Sequence, residues 1–429
     1  MGQRISKECR DKSDKFTGLL GFIVRRTCVT ARNYPAVGPV SRCMRLPLCL
    51  FVGALMLLLA GAQTPAAPRP PNIVVILVDD MGATDLGCMG SKFFETPNID
   101  RLAAQGMKFT QAYAACTVCS PTRAAMMTGK YPARLHLTDW IAGHQRPFAK
   151  LKVPDWTKFL PLEEVTIAEA LKAKGYATAQ IGKWHLGGPA YYPTNQGFDL
   201  SLGGTDRGQP PSYFSPYKIP TLTDGPVGEF LTDREAAEAC QFISKNKDRP
   251  FYLYLPHYAV HTPIQSKKEV AAKYQKKAAG QPDYPQKHAG YGGLVESVDD
   301  AVGRVLKHLD DLKLSDDTLV LFTSDNGGLI NVTHNLGLRA GKGSAYEGGV
   351  RVPLIIRWPG KVAPGTTNQA PVITPDYYPT LLEITGLKAQ PGQVIDGESI
   401  VPLLRQTGSL KRDSIYWHYP HYHPGGARP

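Results

Sequence analysis

The chain carries a series of short, continuous apolar runs, each ending abruptly at polar residues. Ile73–Val78 is rich in β-branched residues and stops at Asp79-Asp80, so it reads as a strand buried on both faces. Phe251–Leu255 and Thr318–Thr323 read as further strands, the last ending at Ser324-Asp325-Asn326, and so does Tyr176–Ile181, which follows a helical stretch at once. Helical stretches lie between them. One follows Thr96, with Pro97 in its first turn and Gly106 past its end, which predicts Thr96 as the cap. Another starts at Thr166, where Glu169 completes a capping box, and stops at Gly175. Leu294, Val298, Val302, Val305, Leu309 and Leu312 recur near helical spacing and predict a longer helix. Ile415–Tyr419 reads as a last short strand.

Alternating helices and apolar strands predict an α/β fold, a mostly parallel central sheet sandwiched by helices. In such sheets the ligand site lies beyond the carboxyl ends of the strands. Asp79, Asp80, Lys183, His185, His257, His261, Asp325 and Asn326 all fall just past predicted strand ends. Stretches far apart in sequence therefore converge on one edge.

Composition changes this picture little: 42% hydrophobic and 20% charged residues are ordinary for a globular chain. The net charge of +12 is uneven. Residues 1–45 hold ten Lys/Arg against three Asp/Glu, so seven of those charges sit there. No basic run with interleaved aromatics follows, so nucleic acid is not an expected partner. A mild positive surplus suits an anionic substrate. Arg42 and Arg45 precede an apolar run, Leu46–Ala62, that closes with Ala60-Gly61-Ala62. Positive flank, apolar core and small-residue end predict a signal peptide at 44–62. The run is shorter than the roughly 20 residues a spanning helix needs. Cleavage, a secreted or periplasmic location and no stable membrane insertion are therefore expected. Residues 1–43 fit neither pattern and read as a non-native extension ahead of Met44. Residues 63–71 read as a Pro/Ala linker, and 72–429 as the catalytic domain. Of eight cysteines, Cys88, Cys116, Cys119 and Cys240 follow the predicted cleavage point, too few for a disulfide framework.

The acids suggest a metal. Asp79-Asp80 and Asp325-Asn326 offer oxygen donors that suit a hard cation, Ca²⁺ or Mg²⁺. Either pair alone fits a turn after a strand equally well. In Cys119-Ser120-Pro121-Thr122-Arg123, Pro121 favours a helix start, which places Cys119 at a helix N-terminus, where an anion is favoured. Arg123 can return over that turn to hold charged oxygens. Cys116-Thr117-Val118-Cys119 also fits a redox pair, although Cys116 suits a buried packing role. Lys183 and His185 are two apart and would share a face if extended; they suit an anionic oxygen and a proton transfer. Of His257 and His261, one is expected to be structural. Lys342 sits between Gly341 and Gly343, where backbone can approach a ligand. His418, His421 and His423 near the end can bind a metal or line a pocket, with a frayed terminal loop as the plainer reading. Arg207, in the loop 203–208, suits a sugar carboxylate or a second sulfate as well as it suits solvent.

Together these residues resemble the sulfatase family of the alkaline-phosphatase superfamily, over roughly residues 72–429. Cys119-Ser120-Pro121-Thr122-Arg123 with Thr128-Gly129-Lys130 is similar to the motif that formylglycine-generating enzymes recognise. Gly182–Gly187, Ser324–Gly328, Gly341–Gly343 and Tyr346–Arg351 are similar to further family blocks, in the family's order. The resemblance implies an arylsulfatase-like enzyme whose nucleophile is formylglycine, made from Cys119. It implies Ca²⁺ held by Asp79, Asp80, Asp325, Asn326 and residue 119, steadied by Arg123. It implies Lys183 and Lys342 on the sulfate, His185 beside the formylglycine, and His261, rather than His257, facing the leaving oxygen. A sulfated carbohydrate or aryl sulfate is the implied substrate, and a formylglycine-generating enzyme the implied maturation partner. Family members continue into a smaller C-terminal subdomain, which is expected to be incomplete here. Two alternatives stay open: a phosphate or phosphonate ester hydrolase of the same superfamily, and a non-catalytic protein that binds sulfated glycans.

Overall fold

The structure is a computed structural model that describes residues 69–144 and 150–423. The predicted signal peptide at 44–62, the extension before it and residues 63–68 of the linker lie outside the described residues. Among the described residues ten strands occur in order: β1 (Asn72–Val78), β2 (Met107–Phe109), β3 (Ala112–Tyr113), β4 (Ala177–Ile181), β5 (Leu200–Leu202), β6 (Phe251–Pro256), β7 (Thr318–Ser324), β8 (Leu354–Arg357), β9 (Thr366–Asn368) and β10 (Val372–Ile373). Eight form one sheet in the order β5-β4-β6-β1-β7-β8-β2-β9, and β3 pairs with β10 separately. β5, β4, β6, β1 and β7 run parallel, while β8 is antiparallel to both β7 and β2.

β1 shows why the apolar runs are continuous. Val74, Ile76 and Val78 enter one core, and Ile73, Val75 and Leu77 enter the other. Successive side chains point to opposite faces, so a strand covered on both sides needs an apolar residue at every position. Burying each such side chain stabilises by roughly 1.5–3 kcal/mol. The helix Ala289–Asp311 covers the first face with Leu294, Val298, Val302, Val305 and Leu309, the positions its periodicity predicts. The second face receives Met126, Met127, Leu171 and Tyr377 from three other helices.

Local signals mostly hold. Thr166 Oγ1 accepts from the Glu169 N–H at 3.1 Å and Glu169 returns to the Thr166 N–H at 2.8 Å, closing the capping box before Ile167–Ala173. Thr96 does not cap Pro97–Ala104 with its side chain. Its hydroxyl accepts from the Gly87 N–H and donates to Asp100 instead, tying the helix to the preceding loop. Ile415–Tyr419 forms no strand; its polar groups are taken up elsewhere, as when Trp417 Nε1 donates to the Ala114 carbonyl at 2.8 Å.

Candidate active site

Parallel topology sets the site. β4, β6, β1 and β7 are neighbours, and their carboxyl ends deliver Lys183, His261, Asp79-Asp80 and Asp325-Asn326 to one edge. The helix Cys119–Thr128 points its first residue there, and all ten of its residues are buried. Pro121 falls within the first turn, where its missing N–H costs nothing. Candidate ligand atoms of Asp79, Cys119 and Asp325 lie within 4.8 Å of one another, and so do those of Asp79, Asp80 and His261.

Charges alternate through this buried cluster. Arg123 reaches Asp325 Oδ2 at 2.8 Å and Asp79 Oδ1 at 3.6 Å. Lys183 Nζ lies 2.6 Å from Asp79, and Lys342 Nζ 2.6 Å from Asp80. Burial pushes Asp79 well above the usual carboxylate range, with Asp325 and Asp80 adding to it and Lys183 and Arg123 opposing. Asp80 is also buried, but Lys342, His261 and Lys183 hold it below that range. Asp325 is held low against burial, chiefly by Arg123 and then Lys183. Burial raises the Cys119 thiol, so it is not a ready thiolate.

The oxygen set fits a hard cation. Asp79 Oδ1 and Asn326 Oδ1 are buried acceptors with no hydrogen-bond donor among the described residues. Asn326 Nδ2 donates to Asp80 Oδ1 at 2.8 Å and to the Gly327 carbonyl at 3.0 Å, which fixes the amide's orientation. Three carboxylates meeting in one dry place are what a divalent ion compensates.

The histidines differ. His185 is fully buried, and its Nε2 meets the Ile141 carbonyl. A carbonyl only accepts, so Nε2 carries the proton and Nδ1, buried without a partner, carries the lone pair. Burial, then Lys183, pulls this imidazole well below its usual range, so it stands neutral. His261 Nε2 lies 3.5 Å from Asp80 Oδ2, with a side chain 14% exposed. It and Lys342, 8% exposed, mark the open side of the site. Burial, then Lys342, lowers His261 to about 3. His261 Nδ1 lies 3.0 Å from the Thr262 carbonyl, which only accepts, so the neutral ring carries its proton on Nδ1 and the lone pair on Nε2; the Thr262 hydroxyl is 3.1 Å from the same Nδ1. His257 instead pairs with Glu235 at 2.6 Å and is wholly buried, as a structural histidine would be.

Several expectations change. Lys183 and His185 do not share an extended face, because His185 adopts a left-handed backbone, φ 62°; Asp80 does the same at φ 63°. Gly341 and Gly343 admit protein rather than ligand. A Cβ on Gly341 would meet the Gly328 carbonyl at 2.4 Å, and one on left-handed Gly343 the His423 ring at 2.1 Å. The segment holding His421 and His423 is packed rather than frayed, with His421 Nε2 2.8 Å from the Thr138 hydroxyl. Arg207 is exposed, while neighbouring Gly208 lies against the His185 ring. Cys116 is buried and both Cys116 and Cys119 are free thiols, with Cys116 raised by burial to about 12. Sequence reasoning missed Tyr213, whose hydroxyl donates to the Tyr258 and His261 carbonyls at 2.6 and 2.9 Å and holds that loop. A tyrosine outside every motif gives no signal of this.

A buried cluster of acids with lysines, an arginine and two histidines, at the carboxyl edge of a parallel sheet, defines a hydrolase site for an anionic ester. The family model described as Sulfatase matches residues 71–387. Arylsulfatase A of Homo sapiens is 38% identical over 398 residues, 85% of this chain and 74% of that protein. Steryl-sulfatase of Mus musculus is 34% identical over 465 residues, 87% of this chain and 72% of that protein. The crystal structure of Ps i-CgsB in complex with k-i-k-neocarrahexaose is similar at TM-score 0.69 and 33% identity, covering 80% of this chain and 77% of that one. The chain belongs to the sulfatase family, enzymes that hydrolyse sulfate esters.

Proposed function

We propose that this sulfatase acts on a sulfated carbohydrate, with residue 119 oxidised to formylglycine and Ca²⁺ bound by Asp79, Asp80, Asp325, Asn326 and residue 119. The observation that carries the reading is the setting of Cys119. It opens a buried helix, its candidate ligand atom lies within 4.8 Å of those of Asp79 and Asp325, and Lys183 and Lys342 are close enough to act on its charge. The relative solved with k-i-k-neocarrahexaose supports a sugar substrate. Export through the 44–62 segment to a secreted or periplasmic location fits the same reading. Among the described residues no helix is long and apolar enough to cross a membrane.

When present, the cation and the hydrated aldehyde would supply charge neutralisation and an attacking hydroxyl. The chain's own residues do the rest. Lys183 and Lys342, paired with Asp79 and Asp80, would bind sulfate oxygens, and Arg123 holds Asp79 and Asp325 in place. Lys342 is the charged donor to the departing oxygen, and His261, on the open side, faces it with Nε2, which can donate only after taking up a proton because Nδ1 already donates to the Thr262 carbonyl. His185 takes a proton at Nδ1, the atom its Ile141 contact leaves free.

A peptide mass spectrum across residue 119, on protein matured with a formylglycine-generating enzyme, should show the thiol replaced by an aldehyde or its hydrate. An intact thiol, where a control sulfatase matures, removes the proposed nucleophile. His185→Ala and His261→Ala should each lower kcat by roughly 10²–10⁴-fold, and wild-type rates would refute those roles. Sulfate esters should turn over faster than matched phosphate or phosphonate esters; the reverse order would move the chain's chemistry to that class.

Metal is tested without turnover. Ca²⁺ at about a hundred times its dissociation constant should stabilise the fold by about 2.7 kcal/mol, seen as a rise in melting temperature that a chelator reverses. Asp79→Asn should shrink the rise. No rise in the unmutated protein would take Ca²⁺ out of this reading.

A further inference from the structure

We propose that Asp139 is a positioning residue that sets the tautomer of His185, by holding still the turn whose Ile141 carbonyl takes the His185 proton. The inference rests on the sulfatase reading, in which His185 acts as a base, and assigns a role to residues that reading leaves unused.

A backbone acceptor is by itself a weak anchor for a side chain. The Ile141 carbonyl is the hydrogen-bond partner of His185 Nε2. A carbonyl on a loop fixes a ring only if the loop is fixed, and partners behind a functional histidine set its tautomer and orientation. Asp139 brackets this turn. Its carboxylate accepts from the Trp140 N–H at 2.9 Å, and the His144 main chain, on the other side of Ile141, acts electrostatically to stabilise its charged form. The Ile141 N–H is held by Ser120 Oγ at 3.1 Å, on the helix that carries residue 119. Trp140 Nε1 closes the turn on His144 Nδ1 at 2.9 Å.

The C-terminal stretch supports Asp139 from the other side. The Tyr419 hydroxyl donates to Asp139 Oδ1 at 3.0 Å. His421 Nδ1 stands 3.7 Å from Asp139 Oδ2, and its Nε2 lies 2.8 Å from the Thr138 hydroxyl. Asp139 is only 2% exposed, and among the described residues no Lys or Arg pairs with it. A buried carboxylate without a cation is costly unless hydrogen bonds satisfy it. Here the main chain and one tyrosine do so, so the bonds that satisfy Asp139 also fix the turn.

The test is ¹⁵N NMR of the histidine side chains in matured enzyme, with kcat and KM measured on the same samples. In the unmutated protein His185 should show a protonated Nε2 and a bare Nδ1. Asp139→Ala should give a mixture of the two tautomers and lose roughly 10–100-fold in kcat, with KM little changed and residue 119 oxidised to the same extent. Asp139→Asn, which keeps one acceptor oxygen, should recover part of both. Tyr419→Phe, which removes a single hydroxyl, should move both slightly in the direction of Asp139→Ala, and carries the test if the alanine variant does not fold. Since Asp139 acts through His185, adding Asp139→Ala to His185→Asn should cost nothing further. An unchanged tautomer in Asp139→Ala and Tyr419→Phe, or an additive loss in the double variant, overturns the proposal. If the tautomer shifts but His185→Asn retains wild-type kcat, the positioning stands and the base role falls.

Discussion

Cys119→Ser should leave the fold intact and stop turnover. Serine fits the space: residue 119 is the buried first residue of a ten-residue helix, and the change swaps sulfur for a smaller oxygen. What it removes is the route to an aldehyde. A serine hydroxyl can attack sulfur, but the sulfated serine has no second hydroxyl from which His185 could take a proton. Release then waits for water at a site that is almost closed. Loss of a nucleophile costs on the order of 10⁴–10⁶-fold in kcat. Steady-state turnover of a sulfate ester measures the loss, and intact mass shows whether sulfate stays on residue 119. A serine variant that cycles at the wild-type rate would end the formylglycine reading.

Arg123→Ala should be among the most destabilising single changes in the chain. The guanidinium is fully buried, donates from Nε to Asp325 Oδ2 at 2.9 Å and from Nη1 to the Lys183 carbonyl at 3.2 Å, and faces Asp79. Burial opposes its charge, but Asp325 and Asp79 hold it firmly protonated. Removing one partner from a buried ion pair typically costs 3–5 kcal/mol, roughly, because the other charge is left uncompensated. Here two carboxylates lose their shared cation. Urea unfolding should show the loss, larger in chelator than in Ca²⁺, since a divalent ion would take over part of the neutralisation. Unchanged stability in chelator would mean that the acids are compensated by some other group.

The parts that the sequence disclosed are those where one physical demand fills every position. β1, β6 and β7 are buried on both faces, so their inner positions, Ile73–Val78, Phe251–Leu255 and Leu319–Phe322, are apolar without a break and their ends are sharp. The parallel sheet then places Asp79, Asp80, Asp325 and Asn326 together without any knowledge of side-chain contacts. The strands β2 and β9 have three residues each and depend on pairing with distant chain, so no local period announces them. Ile415–Tyr419 is rich in strand-forming aromatic residues, yet its aromatics serve as donors to Ala114 and Asp139, contacts that composition cannot distinguish from a sheet face. The Ile141 carbonyl is harder still: every residue has one, and only the fold brings this one to His185.

The left-handed backbone at Asp80 and His185 limits which substitutions can be interpreted. That conformation costs most L-residues roughly 1–2 kcal/mol, while Asn and Asp accept it more readily. Asp80 belongs to the tolerant class, and histidine too is found there more often than most residues. A survey of replacements at 185 should therefore sort by backbone tolerance before it sorts by chemistry. Glycine and asparagine variants would accumulate as folded protein, and valine and isoleucine variants would be depleted at expression. Low activity in the branched variants would report lost protein, whereas the asparagine and glycine variants isolate the loss of the imidazole.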